Sequence, residues 1–175
     1  MTLRPVHLCL GTNLGDRAAN LRAALAALAD DLRVTALSSV WETAPLHVLD
    51  QPAFLNLTLA GETGLDGHAL LARLKRIEHD LGRVASVRYG PRLIDIDILC
   101  LGAVVCDDPV LTLPHPRLAE RRFVLAPLAE IAPGLVPPGL GRDVAALLAA
   151  LGETGGAVRR LGPLESLAPA SAAAL

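Results

Sequence analysis

Apolar residues recur along this chain in two rhythms, and each change of rhythm marks a new element. Residues 6–10 form a short apolar run that reads as a strand and stops at Gly11-Thr12-Asn13. Asp16 can cap a helix over 17–29, where Leu21, Leu25 and Leu28 return at helical spacing. A second strand is expected over 33–39. After Trp41-Glu42-Thr43-Ala44-Pro45-Leu46 and a polar turn at Asp50-Gln51-Pro52, a third strand covers 57–62. Asp66-Gly67 leads into a helix over 68–81, with Leu70, Leu71, Leu74 and Ile77 as its buried stripe and Arg76 and Glu78 off it. Gly82 stops that helix. Residues 94–101 are almost continuously apolar, which predicts a central strand. A hairpin-like stretch over 102–106, the short run 111–113, a helix over 120–131 interrupted near Pro127 and a helix over 143–151 complete the pattern. The order β-α-β-β-α-β predicts an α+β chain, a ferredoxin-like βαββαβ sandwich with an added C-terminal hairpin and helices. From about Gly162 the sequence turns to Pro, Ser and Ala without periodicity, so a single domain is expected over 1–161 and a loose tail over 162–175.

Composition narrows the function classes. The 175 residues suffice for one domain with a real core, and 52% are hydrophobic, yet no uncharged apolar run approaches the ~18 residues that span a membrane. The N-terminal residues lack the layout of a signal peptide. Cys9, Cys100 and Cys106 form no C-x-x-C pair and read as reduced core thiols of a cytoplasmic protein. A net charge of −2 without a Lys/Arg run argues against nucleic acid or an anionic membrane as partner. Of the 16 basic residues only Lys75 is a lysine, so no Walker-type Gly-Lys-Ser/Thr loop exists and any phosphate binding falls to arginine. The only aromatic residues are Trp41, Phe54, Tyr89 and Phe123, so the core must be aliphatic.

The chemistry concentrates in residues 82–97. Arg83, Arg88 and Arg92 sit in a glycine-punctuated stretch that runs into a strand carrying Asp95 and Asp97. Alternation puts both aspartates on one face of that strand and Ile94 and Ile96 on the other. Taken alone, an Asp-x-Asp on such a strand is the mark of a solvated face. Next to arginines it suits Mg²⁺ bound to polyphosphate, because Mg²⁺ takes one or two carboxylates and completes its shell with water and phosphate oxygens. Guanidinium groups bind those phosphate oxygens bidentately. A second group, Pro114, His115, Arg121, Arg122 and Phe123, supplies further phosphate and ring partners.

With these residues in view, the chain resembles the 6-hydroxymethyl-7,8-dihydropterin pyrophosphokinases of folate biosynthesis, from about residue 6 to residue 133. The resemblance rests on Leu10-Gly11-Thr12-Asn13-Leu14-Gly15-Asp16, on Thr43-Ala44-Pro45-Leu46 with Asp50-Gln51-Pro52-Ala53-Phe54-Leu55-Asn56, and on Gly90-Pro91-Arg92-Leu93-Ile94-Asp95-Ile96-Asp97. It closes with Leu113-Pro114-His115-Pro116-Arg117 and Arg122-Phe123-Val124-Leu125-Ala126-Pro127-Leu128. The resemblance implies transfer of the β,γ-pyrophosphoryl unit of ATP to the pterin alcohol, releasing AMP. It implies that Asp95 and Asp97 hold two Mg²⁺ ions and that Arg83 and Arg92 neutralise the transferring group. Phe54 and Phe123 would sandwich the pterin, with Asn56, Thr43, Pro45, Leu46 and Tyr89 as further substrate contacts. Lys75, Glu78, Arg88, Ile98, Thr112, His115 and Arg121 would lie on the ATP side. The partners implied are ATP and hydroxymethyl-dihydropterin, and the active unit is expected to be a monomer.

The resemblance also has departures. Many family members carry a second arginine shortly after the position of Arg83 and a tryptophan where Tyr89 stands; here Ala85 and Ser86 occupy that stretch. Two rival readings are a ferredoxin-like sensor that binds nucleotide without turnover and a kinase for another heteroaromatic alcohol. The intact Asp95, Asp97, Arg83 and Arg92 speak against the first, and Asn56 with the two phenylalanines against the second.

Overall fold

The structure, a computed structural model, describes residues 2–44, 50–83, 90–152 and 156–168. In chain order the elements are β1 (Arg4–Thr12), α1 (Arg17–Leu28), β2 (Arg33–Leu37), β3 (Val40–Thr43), β4 (Phe54–Thr63), α2 (Gly67–Asp80) and β5 (Asp95–Leu101). A small hairpin follows, β6 (Cys106–Asp107) and β7 (Thr112–Leu113), then a 3-10 turn at Leu118–Glu120, α3 (Arg122–Ile131), α4 (Val144–Leu151), β8 (Val158–Gly162) and a last 3-10 turn at Leu164–Ser166. The longest strands form the centre of the sheet. β1 and β4 pair antiparallel along their whole lengths, from Arg4 opposite Thr63 to Thr12 opposite Leu55. β5 lies on the other side of β1, while β2 and β3 line the free side of β4 one after the other and β8 closes that edge on β3. Counting β2 and β3 as one interrupted strand, the spatial order is fourth, first, third, second, the ferredoxin-like arrangement expected from the element order.

The cap expected at Asp16 matches the local geometry, and Asp66 caps the second helix in the same way. The Asp16 side chain accepts from the Ala19 N–H at 2.9 Å, and Asp66 accepts from the Ala69 N–H at 2.9 Å. α1 and α2 press Leu21, Ala24, Leu28, Leu70, Leu74 and Ile77 onto one face of the sheet, where they meet Leu8, Leu10, Leu57, Leu59, Ile94 and Ile96. The opposite face is covered by α3 and α4 through a smaller cluster that includes Leu99, Cys100, Leu118, Leu125, Leu128, Val144 and Leu147. A register shift in the β1–β5 ladder lets both Leu99 and Cys100 join this second cluster, whereas Leu101 returns to the first. Among the described residues no helix is long and apolar enough to cross a membrane.

The elements differ from the expectations at four places. The strand expected over 33–39 breaks after Leu37 and resumes as β3, because Ser38 takes over the pairing with Thr58. Its N–H donates to the Thr58 carbonyl and its Oγ accepts from the Thr58 N–H, both at 2.9 Å. The third strand starts at Phe54 rather than residue 57, so Phe54 and Asn56 stand on rigid backbone. α3 runs through Pro127 without a break: the ring removes one donor, but Val124, Leu125, Ala126 and Leu128 are all buried and hold both halves in place. The loose tail expected over 162–175 is corrected through Leu167. Leu164 is 3% exposed within the main core, and Arg22 of α1 donates to the carbonyls of Leu164 and Leu167 at 3.1 and 2.5 Å. A short segment without its own periodicity becomes ordered because β3 offers an open edge and α1 offers a donor.

Candidate active site

The candidate site lies on the face shared with α3 and α4, at the end of the sheet those helices leave uncovered. Strand register lines its residues up. Asp95 stands opposite Gly11, Gly11 opposite Asn56, and Asn56 opposite Trp41, while Asp97 stands opposite Cys9 and Phe54 opposite Thr43. Alternation sends Ile94 and Ile96 into the aliphatic core and turns Asp95 and Asp97 outward, as expected. Gly11 makes room in this row. A Cβ there would stand 2.9 Å from Asn56 Oδ1, so the amide can lie flat across β1 only because position 11 is glycine. Asn56 Nδ2 donates to Thr43 Oγ1 at 3.1 Å, which fixes the amide orientation and turns its remaining polar atoms toward the opening.

Asn13 joins the two loops that border the cleft. Its N–H donates to the Arg92 carbonyl at 3.0 Å and its Oδ1 accepts from the Arg92 N–H at 2.7 Å. Its Nδ2 donates to Gln51 Oε1 at 3.0 Å and to the Pro52 carbonyl at 3.1 Å. One side chain thereby locks the turn carrying Arg92 to the loop that precedes Phe54.

The charges are arranged around the two aspartates. Asp95 Oδ1 accepts from Arg83 Nη1 at 2.8 Å, Asp95 Oδ2 accepts from Arg92 Nη1, and Lys75 Nζ stands 4.0 Å from Asp95 Oδ1. Asp97 Oδ2 lies 3.5 Å from Arg121 Nη1 and 3.9 Å from His115 Nε2. Burial raises the Asp97 carboxyl above its usual range, and the neighbouring Asp95 charge pushes the same way. A pair of hard carboxylates that repel one another on adjacent outward positions of a rigid strand fits Mg²⁺ as a donor set. Backbone holds His115 on both sides: its main-chain N–H donates to the Leu99 carbonyl at 2.9 Å, and its ring Nδ1 accepts from the Arg117 N–H at 3.1 Å. With Nδ1 accepting, the ring proton belongs on Nε2, which lies 3.9 Å from Asp97 Oδ2 and 3.5 Å from Arg121 Nη1. Burial first, then the Arg121 and Arg117 charges, lower His115 to about 4, so near neutral pH it is an uncharged donor.

Of these groups Asp95, Asp97, Arg92 and Arg121 line a cleft of about 310 Å³ together with Phe54, Asn56, Thr43 and Phe123, while Arg83, Lys75 and His115 stand behind them. Both phenylalanine side chains are half-buried there, and the Arg121 guanidinium lies 5.6 Å above the Phe123 ring centroid. Cys9 forms part of the floor. Burial, with the Asp97 charge, keeps its thiol protonated, so it is no nucleophile.

Three of the residues expected on the ATP side lie elsewhere. Glu78 is 0% exposed, against the expectation that it stands off the buried stripe. Its carboxylate accepts from the Ile96 N–H at 2.7 Å, from Lys75 Nζ at 2.9 Å and from Arg83 Nη1, which leaves it no open oxygen for a nucleotide. It acts from below, by anchoring Arg83 and Lys75. Ile98 is 5% exposed and packs with Ile94 and Ile96 in the main core, because it shares their side of the strand. Thr112 sits half-buried on β7 opposite Asp107 and does not line the cleft. Pro45, Leu46, Arg88 and Tyr89 fall outside the described residues. Residues the sequence reading left without a role are Asn13, Gln51, Cys9, Arg117 and Glu120. Alternation along β1 could have found Cys9, since it shares its side of the strand with Gly11.

The family model for 7,8-dihydro-6-hydroxymethylpterin-pyrophosphokinase matches residues 7–133, which include every described cleft residue. The chain belongs to this pyrophosphokinase family. It is 45% identical over 127 residues to the 2-amino-4-hydroxy-6-hydroxymethyldihydropteridine pyrophosphokinase of Bacillus subtilis, covering 71% of this chain and 76% of that protein. It is 47% identical over 135 residues to the enzyme of the same name from Methylorubrum extorquens, covering 76% and 85%. A mitochondrial folate synthesis bifunctional protein of Pisum sativum is 47% identical over 127 residues, and there the chain spans 25% of the relative's length. The wild-type HPPK-DHPS of Plasmodium falciparum, crystallised with pterin and p-hydroxybenzoate, superposes with a TM-score of 0.71 at 16% identity, covering 86% of this chain and 42% of that one. The likeness to that structure is one of fold. The pyrophosphokinase match spans β1 through α3; α4 and β8, which complete the second face and the sheet edge, lie beyond it.

Proposed function

We propose that this chain transfers the β,γ-pyrophosphoryl group of ATP to the hydroxymethyl oxygen of 6-hydroxymethyl-7,8-dihydropterin. Family membership supports the reading, and one observation carries it. Asp95 and Asp97, ringed by Arg83, Arg92, Arg121 and His115, open onto the same cleft as Phe54, Phe123 and Asn56. One end of that cleft suits polyphosphate and the other suits a flat heterocycle with an amide-like edge.

Asp95 and Asp97 would hold two Mg²⁺ ions, which when bound neutralise phosphate oxygens and orient the triphosphate. Arg83 and Arg92, which donate to Asp95, would meet the phosphates of the triphosphate. His115 offers its Nε2–H, and Arg121 its guanidinium, to the same oxygens. The pterin slides between the two rings, with Asn56 reading its edge. The alcohol oxygen attacks the β-phosphorus, the bond from that phosphorus to the bridging α-phosphate oxygen breaks, and AMP departs with the electron pair. The alcohol proton passes to solvent or, secondarily, to an aspartate oxygen. The transition state is loose, so alignment and fixed positive charge do most of the catalytic work and no covalent enzyme intermediate is required. We take one chain to be the active unit and place it in the cytoplasm, in keeping with its free thiols.

Incubation with Mg-ATP and hydroxymethyl-dihydropterin should release AMP and yield the pterin diphosphate in equal amounts. Release of ADP, or of no nucleotide, would overturn the reading.

A further inference from the structure

We propose that His68, Cys106 and Asp108 form a second cation site, for a borderline transition ion of the Zn²⁺ class, at the opposite end of α2 and β5 from the catalytic cleft. His68 lies in the first turn of α2, whereas Lys75 and Glu78, which stand beneath the cleft and hold Arg83 and Asp95, belong to its second half. Cys106 and Asp108 follow the end of β5, whose first residue is Asp95. Six strand steps put the two sites roughly 20 Å apart, and the proposal does not depend on the reaction assigned above.

The three donors converge on one point. Asp108 Oδ2 lies 2.8 Å from His68 Nε2 and 3.3 Å from Cys106 Sγ, and all three ligand atoms fall within 4.8 Å of one another. Donors on a tetrahedral ion of this class sit roughly 3.3–3.8 Å apart, given bonds of about 2.0–2.3 Å. A slight opening of the cluster therefore admits an ion, with the fourth position left to water.

The cluster is also held from outside. Asp108 Oδ1 accepts from the N–H groups of Val110 and Leu111, both at 2.8 Å, so the carboxylate is fixed with Oδ2 directed at the other two donors. Those same amide bonds keep Asp108 ionised well below the usual carboxylate range. The hairpin sits tightly against the helix start. A Cβ on Gly67 would stand 2.8 Å from Leu111 Cδ2, so the glycine lets Leu111 pack there and sets the distance between His68 and the hairpin. Imidazole nitrogen, sulfur and a single carboxylate oxygen form a set that Zn²⁺ and Co²⁺ accept and Mg²⁺ does not. Binding displaces the Cys106 thiol proton, now donated to Asp108, into solvent and leaves the sulfur as thiolate. The bound ion fastens the β6–β7 hairpin to α2, and with it the strand that leads into Pro114 and His115.

Co²⁺ titration of the reduced, metal-free full chain in excess Mg²⁺ tests this. One Co²⁺ per chain is expected, with a thiolate-to-metal charge-transfer band and the visible bands of four-coordinate cobalt, all lost when Zn²⁺ is added. Cys106→Ser should abolish the charge-transfer band, and His68→Ala should weaken binding at least about tenfold. Zn²⁺ should raise the melting temperature of the parent and leave that of Cys106→Ser unchanged. The absence of a thiolate band would overturn the site. So would a band that survives in Cys106→Ser, which would place the sulfur at Cys9 beside Asp97, or a Zn²⁺ shift that Cys106→Ser retains.

Discussion

Alternate residues of the same strands face two different environments. Toward α1 and α2 the sheet presents Leu8, Leu10, Leu57, Leu59, Ile94 and Ile96, none of them accessible to solvent. Toward α3 and α4 the neighbours of those residues are Cys9, Gly11, Phe54, Asn56, Asp95 and Asp97, and one end of that face is left open. The first face is dry, aliphatic and filled; the second is half-covered and carries nearly all the charge chemistry. Because each polar residue stands between two buried leucines or isoleucines, the core sets its position to within the stiffness of a packed strand. The active-site geometry is thus a by-product of packing on the other side of the sheet, and the two faces should separate cleanly under mutation.

The largest effect is expected from Asp97→Asn on the open face. The change keeps the shape, removes a carboxylate charge and relieves repulsion with Asp95, so AMP release should fall by about 10²–10³ or more while the melting temperature holds or rises. Paired activity assays and thermal melts check this; turnover near the parental level would remove the carboxylate pair from the mechanism.

Leu57→Ala on the closed face should show the opposite profile. It leaves a void between the sheet and two helices and should cost about 2–5 kcal/mol in urea unfolding. Folded enzyme below its melting point should keep its affinity for ATP. A loss of ATP affinity matching the stability loss would mean the faces are not separable.

Removing residues 164–175 probes the same closed face from its C-terminal edge. The loss takes Leu164 out of the core and the acceptors of Arg22 away, which should cost about 1.5–3 kcal/mol. An unchanged denaturation midpoint would restore the reading of this segment as a loose tail.

The smallest effect sharpens the boundary between the faces. Phe123→Ala should weaken pterin binding by about 1–3 kcal/mol and leave ATP affinity nearly intact, with only a minor change in stability, since its ring lines the cleft. Calorimetric titration of each ligand distinguishes this from a core role, which would appear as a large stability loss and little change in pterin affinity.

Much of this was legible beforehand because it depends on local rules. Alternation along residues 94–97 separates two aspartates from two isoleucines whatever else the chain does, and Asp16 and Asp66 announce the helix starts. The ordered motif blocks from Leu10 to Leu128 carried the family. Glu78 shows where local rules stop. Its position continues the spacing of Leu70, Leu74 and Ile77, but a carboxylate is expected in water unless donors meet it inside. Those donors, the Ile96 N–H and the Arg83 guanidinium, come from beyond the helix and gather only in the fold.

The sequence by itself determined the order of elements, the faces of the strands and the residue types able to hold a metal–polyphosphate complex, because each follows from backbone geometry within a few residues. Only the tertiary structure decided that Glu78 supports the site from beneath, that Asn13 ties two loops together, that the segment from Val158 to Leu167 packs, and that His68 meets Cys106 and Asp108. Each of these depends on pairing between groups far apart in the chain, and the free energy of such a pair exists only after the chain has closed the loop between them.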